Sequence, residues 1–272
     1  MLVVIRGGGD IASGIALRLW RSGVRLVLCE TERPTAIRRT VAFSECIAKG
    51  ETQVEGVTAR RVPLEEARDC LKAGVIPVLV DPSGACIKTL RPDAVVDAIL
   101  AKRNLGTTMD MAPAVIGVGP GFTAGVDCHA VVETMRGHYL GRVIWEGSAI
   151  PNTNIPGLVG GYAGERVLRA PAEGVFRQLL EIGAQVKAGD AAGTVEGQPV
   201  ICQIDGVLRG ILPDGTPVYK GMKSGDVDPR CSIDHCYCAS DKALAVGGGV
   251  LEALLHLTGA LGAPAERKEE GV

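Results

Sequence analysis

The chain has 272 residues, a formal net charge of −2 and 46% hydrophobic residues, which is enough apolar material for one large domain or two modest ones. So balanced a charge leaves no global field to recruit nucleic acid. With 3% aromatic residues there is also little for base stacking.

Nine cysteines are an odd number in a chain too large to need disulfide staples, so reduced thiols are expected. The sequence enters an apolar run at once, with no basic segment followed by a long apolar one, and its apolar runs fall short of the roughly 20 residues that span a bilayer. The expectation is a cytoplasmic protein without membrane contact.

Strand-like runs fall at 2–5, 24–29, 75–80, 94–99 and 114–118, with helical patterns at 11–21 and 64–72. This alternation predicts a mainly parallel sheet with helices on its faces, a Rossmann-like α/β domain over 1–162. Between the first strand and helix lies Gly7-Gly8-Gly9-Asp10. Read as G-x-G-x-x-A, the loop uses Gly7, Gly9 and Ala12, and Glu30 supplies the acidic residue about twenty positions on. Such a turn lets phosphates approach a helix N-terminus. Asp10 cuts against that, because it puts a carboxylate where a pyrophosphate favours bare amides.

Arg38 and Arg39 follow the second strand, and Lys102 and Arg103 follow the run ending at 99. If they converge on the crevice at the strand ends, they make a pocket for a phosphorylated ligand; otherwise they are solvated loop charges. Gly119 and Gly121 belong to a second glycine-rich loop that lacks the Gly-Lys-Ser/Thr ending of a Walker motif. That loop either lines a ligand with backbone amides or makes a tight connection. His129 and Glu133 share parity on a predicted strand and so point to one face.

The middle of the chain repeats itself. Gly174, Val175, Arg177, Leu180, Gly183, Val186 and Gly189 recur 32 residues later as Gly206, Val207, Arg209, Leu212, Gly215, Val218 and Gly221. Two strand–turn–strand copies resemble the barrel-sandwich hybrid of biotinyl and lipoyl domains, which sets a β module at 163–225. Those carriers need a lysine at the hairpin between copies, and none occurs between Lys187 and Lys220. A structural or docking module is therefore expected.

Cys231, Cys236 and Cys238 lie close to His235 in a segment at 226–264 that ends in a helix packing back on the α/β domain. The spacing is not that of a zinc knuckle, which leaves a metal site, a reactive thiol or ordinary reduced cysteines. Gly247-Gly248-Gly249 interrupts that helix and needs either close packing or a break. The tail at 265–272 reads as disordered.

Taken in order, the stretches VIRGGGDIASG (4–14), IRRTVAFSE (37–45), VDAILAKRN (96–104), GPGFTAGVD (119–127), GDVDPR (225–230), and SDK (240–242) through GVLE (249–252) resemble the YqeB-type accessory proteins of selenium-dependent molybdenum hydroxylases. The resemblance covers almost the whole chain. It implies a cytoplasmic protein of molybdenum cofactor biosynthesis, which makes or inserts a selenium-containing cofactor for a molybdenum hydroxylase client. It further implies a nucleotide-binding crevice that holds the phosphorylated pterin or its nucleotide form. Cys236, matched to the cysteine preceding Ser-Asp-Lys, would then handle the selenium species. An NAD(P)-dependent oxidoreductase and a non-catalytic interaction scaffold are the alternatives, and homo-oligomerisation stays open.

Overall fold

The computed structural model describes residues 1–153 and 155–262; the tail expected at 265–272 lies outside them. Its first part is built on β1 (Leu2–Arg6), β2 (Arg25–Glu30), β3 (Glu51–Val54), β4 (Val57–Arg61), β5 (Ile76–Val80), β6 (Ala94–Asp97) and β7 (Ala114–Val118). Short strands Ala130–Val132 and Val143–Ile144 follow. They form one nine-stranded sheet in the order Val143–Ile144, Ala130–Val132, β7, β6, β1, β2, β5, β4, β3. β1 lies at the centre because Val3, Val4 and Ile5 are wholly buried, apolar on both faces as a doubly covered parallel strand must be. It pairs in parallel with β2 and β6.

One face is covered by α1 (Asp10–Arg21) and α5 (Asp241–Thr258), and the other by the short α3 (Ala67–Lys72) and α4 (Cys86–Leu90). α5 runs unbroken through its three glycines. A Cβ on Gly14 would lie 2.5 Å from Ala243 Cβ, one on Gly247 would meet Arg18 at 2.8 Å, and one on Gly249 would lie 2.1 Å from the Gly141 carbonyl oxygen. Gly247 and Gly249 are therefore there for close approach, whereas a Cβ on Gly248 would meet nothing within 4 Å. The Ser240 hydroxyl caps α5 by accepting from the Ala243 N–H. No helix among the described residues is long and apolar enough to cross a membrane.

The second part holds two four-stranded antiparallel sheets. One orders Val167–Arg169, Lys223–Asp228, Gly206–Ile211 and Gln185–Val186; the other orders Gln198–Ile201, Ala191–Val195, Gly174–Gln178 and Pro217–Val218. Gly174 pairs with Val218, and Gly206 pairs with Val186. Each copy of the 32-residue repeat thus gives its first strand to the other copy's second.

The expected architecture, a Rossmann-like sheet with a barrel-sandwich module, needs correcting. The large sheet is mixed: antiparallel pairs close both ends, β3 with β4 and Val143–Ile144 with Ala130–Val132. β6 and β7 are joined without an α-helix, so the regular strand–helix alternation stops after α4. What the chain forms is a mixed α/β sheet with additional antiparallel sheets.

Candidate functional site

The glycine loop is occupied by its own chain. The Glu30 carboxylate accepts from the Gly8 N–H at 2.8 Å, and the Gly8 carbonyl accepts from Ser44 N–H at 2.8 Å and from the Ser13 hydroxyl at 3.1 Å. Gly7 has φ +103°, and a Cβ there would meet the Ala98 carbonyl oxygen at 2.8 Å. Strand packing alone demands a glycine at that position.

Asp10 opens α1, and both its carboxylate oxygens accept from Arg38 Nη1 at 3.0 Å. Arg38 Nη2 donates to the carbonyls of His235 and Cys238. Buried Arg38 therefore ties the start of α1 to the segment leading into α5, although its Nε has no partner. Arg39 reaches the other way, donating to the Ile211 carbonyl and to Gln178 Oε1 while pairing with Glu45. Arg39 thereby ties the sheet domain to the β module.

Between these parts lies a cleft of about 940 Å³. Glu133, buried, shapes one wall: its carboxylate accepts from the N–H groups of Thr134, Met135 and Ile150. His129 is also structural, with Nδ1 accepting from the Val115 N–H. The opposite wall comes from the β module. There Arg209 pairs with Asp226 and Asp228, and Arg166 pairs with Asp226.

The cleft is cationic. Among the described residues, Arg38, Lys102, Arg136, Arg166, Arg169, Arg209, Lys223 and Lys242 line it against two carboxylates, Asp10 and Asp226. Arg136 is held by Asp241 at 2.8 and 3.0 Å. Among the described residues, Lys102, Arg169, Lys223 and Lys242 have no carboxylate partner. Lys223 opens to the cleft but is ringed by protein, and this desolvation, with Arg166 and Arg209 nearby, holds its ammonium below the ordinary lysine range. Burial and Arg136 do the same to Lys242. Arg166 Nε, buried, has no acceptor.

Of the residues singled out in the sequence, Gly9, Asp10, Arg38 and Lys102 meet on this cleft. Gly7, Glu30, Arg39, Arg103, Gly119, Gly121 and Cys236 are not among its lining. Gly119 and Gly121 serve close packing, where a Cβ would meet the Thr134 hydroxyl and the Arg103 backbone at 2.7 and 2.6 Å. Cys236 is fully buried, its thiol is pushed up by desolvation, and its Sγ lies 3.9 Å from the Leu208 carbonyl oxygen. Cys231 is exposed. The sequence reading passed over Lys223, Lys242, Arg136, Arg166 and Arg169 as ligand-facing residues. Their one signal was position, since Lys223 sits just before GDVDPR (225–230) and Lys242 ends SDK (240–242).

The fold and cleft together define a mixed α/β protein with a β unit closing over a positively charged cavity. No family model matches the chain. It is related to the uncharacterised protein YqeB of Escherichia coli strain K12, with 52% identity over 257 residues. The match takes in 94% of this chain and 48% of that protein, so the chain spans about half the length of the curated relative.

Two solved structures are similar at a distance. One is a succinylglutamate desuccinylase/aspartoacylase from Rhodobacter sphaeroides, 14% identical, with a TM-score of 0.23 over 82% of this chain and 86% of that one. The other is an aspartoacylase family protein from Mesorhizobium loti, 10% identical, with a TM-score of 0.27 over 83% and 84%. Likenesses this distant carry no inference about activity. The expectation of a selenium–molybdenum cofactor maturation protein is set aside. The geometry agrees, because the glycine loop is filled by Glu30 and Cys236 is sealed in the core.

Proposed function

We propose that the protein binds a phosphorylated, multiply charged small molecule in the cleft between the sheet domain and the β module. The observation that carries this reading is the group Lys102, Lys223 and Lys242, which line one cavity without carboxylate partners among the described residues. Like charges that line one cleft repel one another, and an anion with several negative oxygens relieves that repulsion. The unpartnered Nε groups of Arg38 and Arg166 add buried donors of the right kind.

Titration calorimetry with pyrophosphate, a sugar phosphate and a nucleoside diphosphate tests the reading, with citrate as a polyanion lacking phosphate. A phosphate ligand is expected to bind, and more weakly as salt rises. A hydrogen bond to a charged group contributes about 1.5–3 kcal/mol, so Lys223→Ala or Lys242→Ala should each weaken binding by about tenfold or more. No binding by any phosphate probe at millimolar concentration, or equal binding by the Lys223→Ala/Lys242→Ala double variant, would overturn it.

A further inference from the structure

A second cavity, of about 620 Å³, opens on the other face of the sheet, beyond the ends of β4 and β5. Asp81 and Cys86 line it, and Cys29 at the end of β2 stands directly behind Cys86. The Cys29 and Cys86 sulfurs are 3.3 Å apart. One oxygen of Asp81 completes a trio in which every donor atom lies within 4.8 Å of the others. Among the described residues this is the one place where three such donors converge. The cysteines near His235, by contrast, form no such group.

The fold builds this trio for reasons that do not depend on a ligand. Cys29 and Leu79 are register partners across β2 and β5, so the chain leaving β5 turns back over Cys29. Asp81 holds the turn: its Oδ1 accepts from Ser83 Oγ and Ala85 N–H, and its Oδ2 accepts from Cys86 N–H at 2.8 Å. A carboxylate offers about four lone-pair sites, so Oδ2 keeps one free. Beneath the same turn lies Arg6, buried, donating to the Pro82 carbonyl and leaving Nε unpartnered. A Cβ added at Gly84 would meet that Nε at 3.4 Å.

We propose that Cys29, Cys86 and Asp81 bind a thiophilic divalent ion of zinc type, with the fourth position turned to the cavity. Two soft thiolates and one carboxylate suit zinc better than magnesium or calcium. In a tetrahedral site with Zn–S bonds of about 2.3 Å the sulfurs stand about 3.8 Å apart, so the pair must part by about half an ångström. Each thiol loses its proton to solvent as its sulfur–metal bond forms. Two thiolates, a carboxylate and a dication leave one net negative charge, near the Arg6 guanidinium, which also pairs with buried Asp97 at 3.1 Å. Three protein donors and an open position make a site that accepts water or a small ligand from the cavity.

Cobalt(II) added to the reduced full chain under argon gives the first readout. One equivalent should produce thiolate-to-cobalt charge-transfer absorption and the intense visible bands of tetrahedral cobalt, and zinc should displace it. X-ray absorption at the zinc edge of the loaded native chain should show two sulfur and two lighter neighbours. The cobalt signal should vanish in Cys29→Ser/Cys86→Ser, weaken by about tenfold in affinity in Asp81→Asn, and persist in Cys231→Ser/Cys238→Ser. Absence of charge transfer in the native chain, a zinc shell without sulfur or with four sulfurs, or loss of the signal in Cys231→Ser/Cys238→Ser would overturn the site. The native-chain spectra decide the matter even if the Cys29→Ser/Cys86→Ser variant fails to fold.

Discussion

Arg38 shows how one side chain can look like a ligand-binding residue and act first as a clamp. It sits after the second strand, where dinucleotide enzymes place phosphate-binding arginines. In the folded chain it is 5% exposed and makes four hydrogen bonds to three partners, Asp10 and the carbonyls of His235 and Cys238, with one of its Nη atoms bonded to both oxygens of Asp10. Removing it leaves the Asp10 carboxylate, still a quarter exposed, without its counter-charge, and leaves two carbonyls without donors. Arg38→Ala should therefore cost about 2–3 kcal/mol of unfolding free energy in urea, toward the lower end for a broken buried pair because Asp10 keeps some water. Arg38→Lys should recover the charge but not the three-way geometry, and so only part of the stability. Wild-type stability in Arg38→Ala would show that the clamp is dispensable.

At the scale of elements, the packing of α1 against α5 reverses a familiar rule. Alanine normally stabilises a helix interior by about 1 kcal/mol relative to glycine. At Gly14 the added methyl would stand 2.5 Å from Ala243 Cβ and 2.9 Å from that residue's backbone carbon, so the helices must separate. Gly14→Ala should destabilise by about 1–3 kcal/mol in denaturant titration, whereas Gly248→Ala, which meets nothing within 4 Å, should be neutral or stabilising. This contrast also shows what could be read in advance. The strands at the centre of the sheet were visible because β-branched runs buried on both faces leave a continuous apolar signal, as in β1. The edge strands were not: three of the four residues of β3 are polar, and Val143–Ile144 has only two residues. Helix-interior glycines in α5 signalled close approach without naming the partner, because Gly141 and Gly14 are far away in the sequence.

For the whole molecule, the cleft is assembled from residues spread between Gly9 and Lys242, and no local pattern marks such a site. Glycine loops and arginine pairs drew attention because they are local, yet the unpaired lysines that face the cavity are defined only by what fails to neutralise them. The proposed ligand has a consequence for pH that depends on this assembly. Lys223 faces Asp226, Arg166, Arg209 and Asp10, and Lys242 faces Arg136, Asp10, Lys223 and Glu133. Burial outweighs the acids in both surroundings, so both ammonium groups are held below the ordinary lysine value of about 10.4 in the free protein. A bound anion favours the charged form and raises both, so binding takes up protons wherever the free lysines are partly neutral. Affinity should be full below the free-protein values and fall as pH rises through them toward the bound ones. A phosphate monoester loses its second proton near pH 6, so above about pH 7 the ligand charge is constant and the decline belongs to the protein. Calorimetry in two buffers of different ionisation enthalpy should show proton uptake on binding below the ordinary lysine value, and none once the pH is low enough for both free lysines to be fully charged. Lys223→Arg/Lys242→Arg, whose guanidinium groups stay charged, should bind with an affinity flat across the same range. A native protein whose affinity is constant from about pH 7 to 10 would mean that these lysines do not meet the ligand.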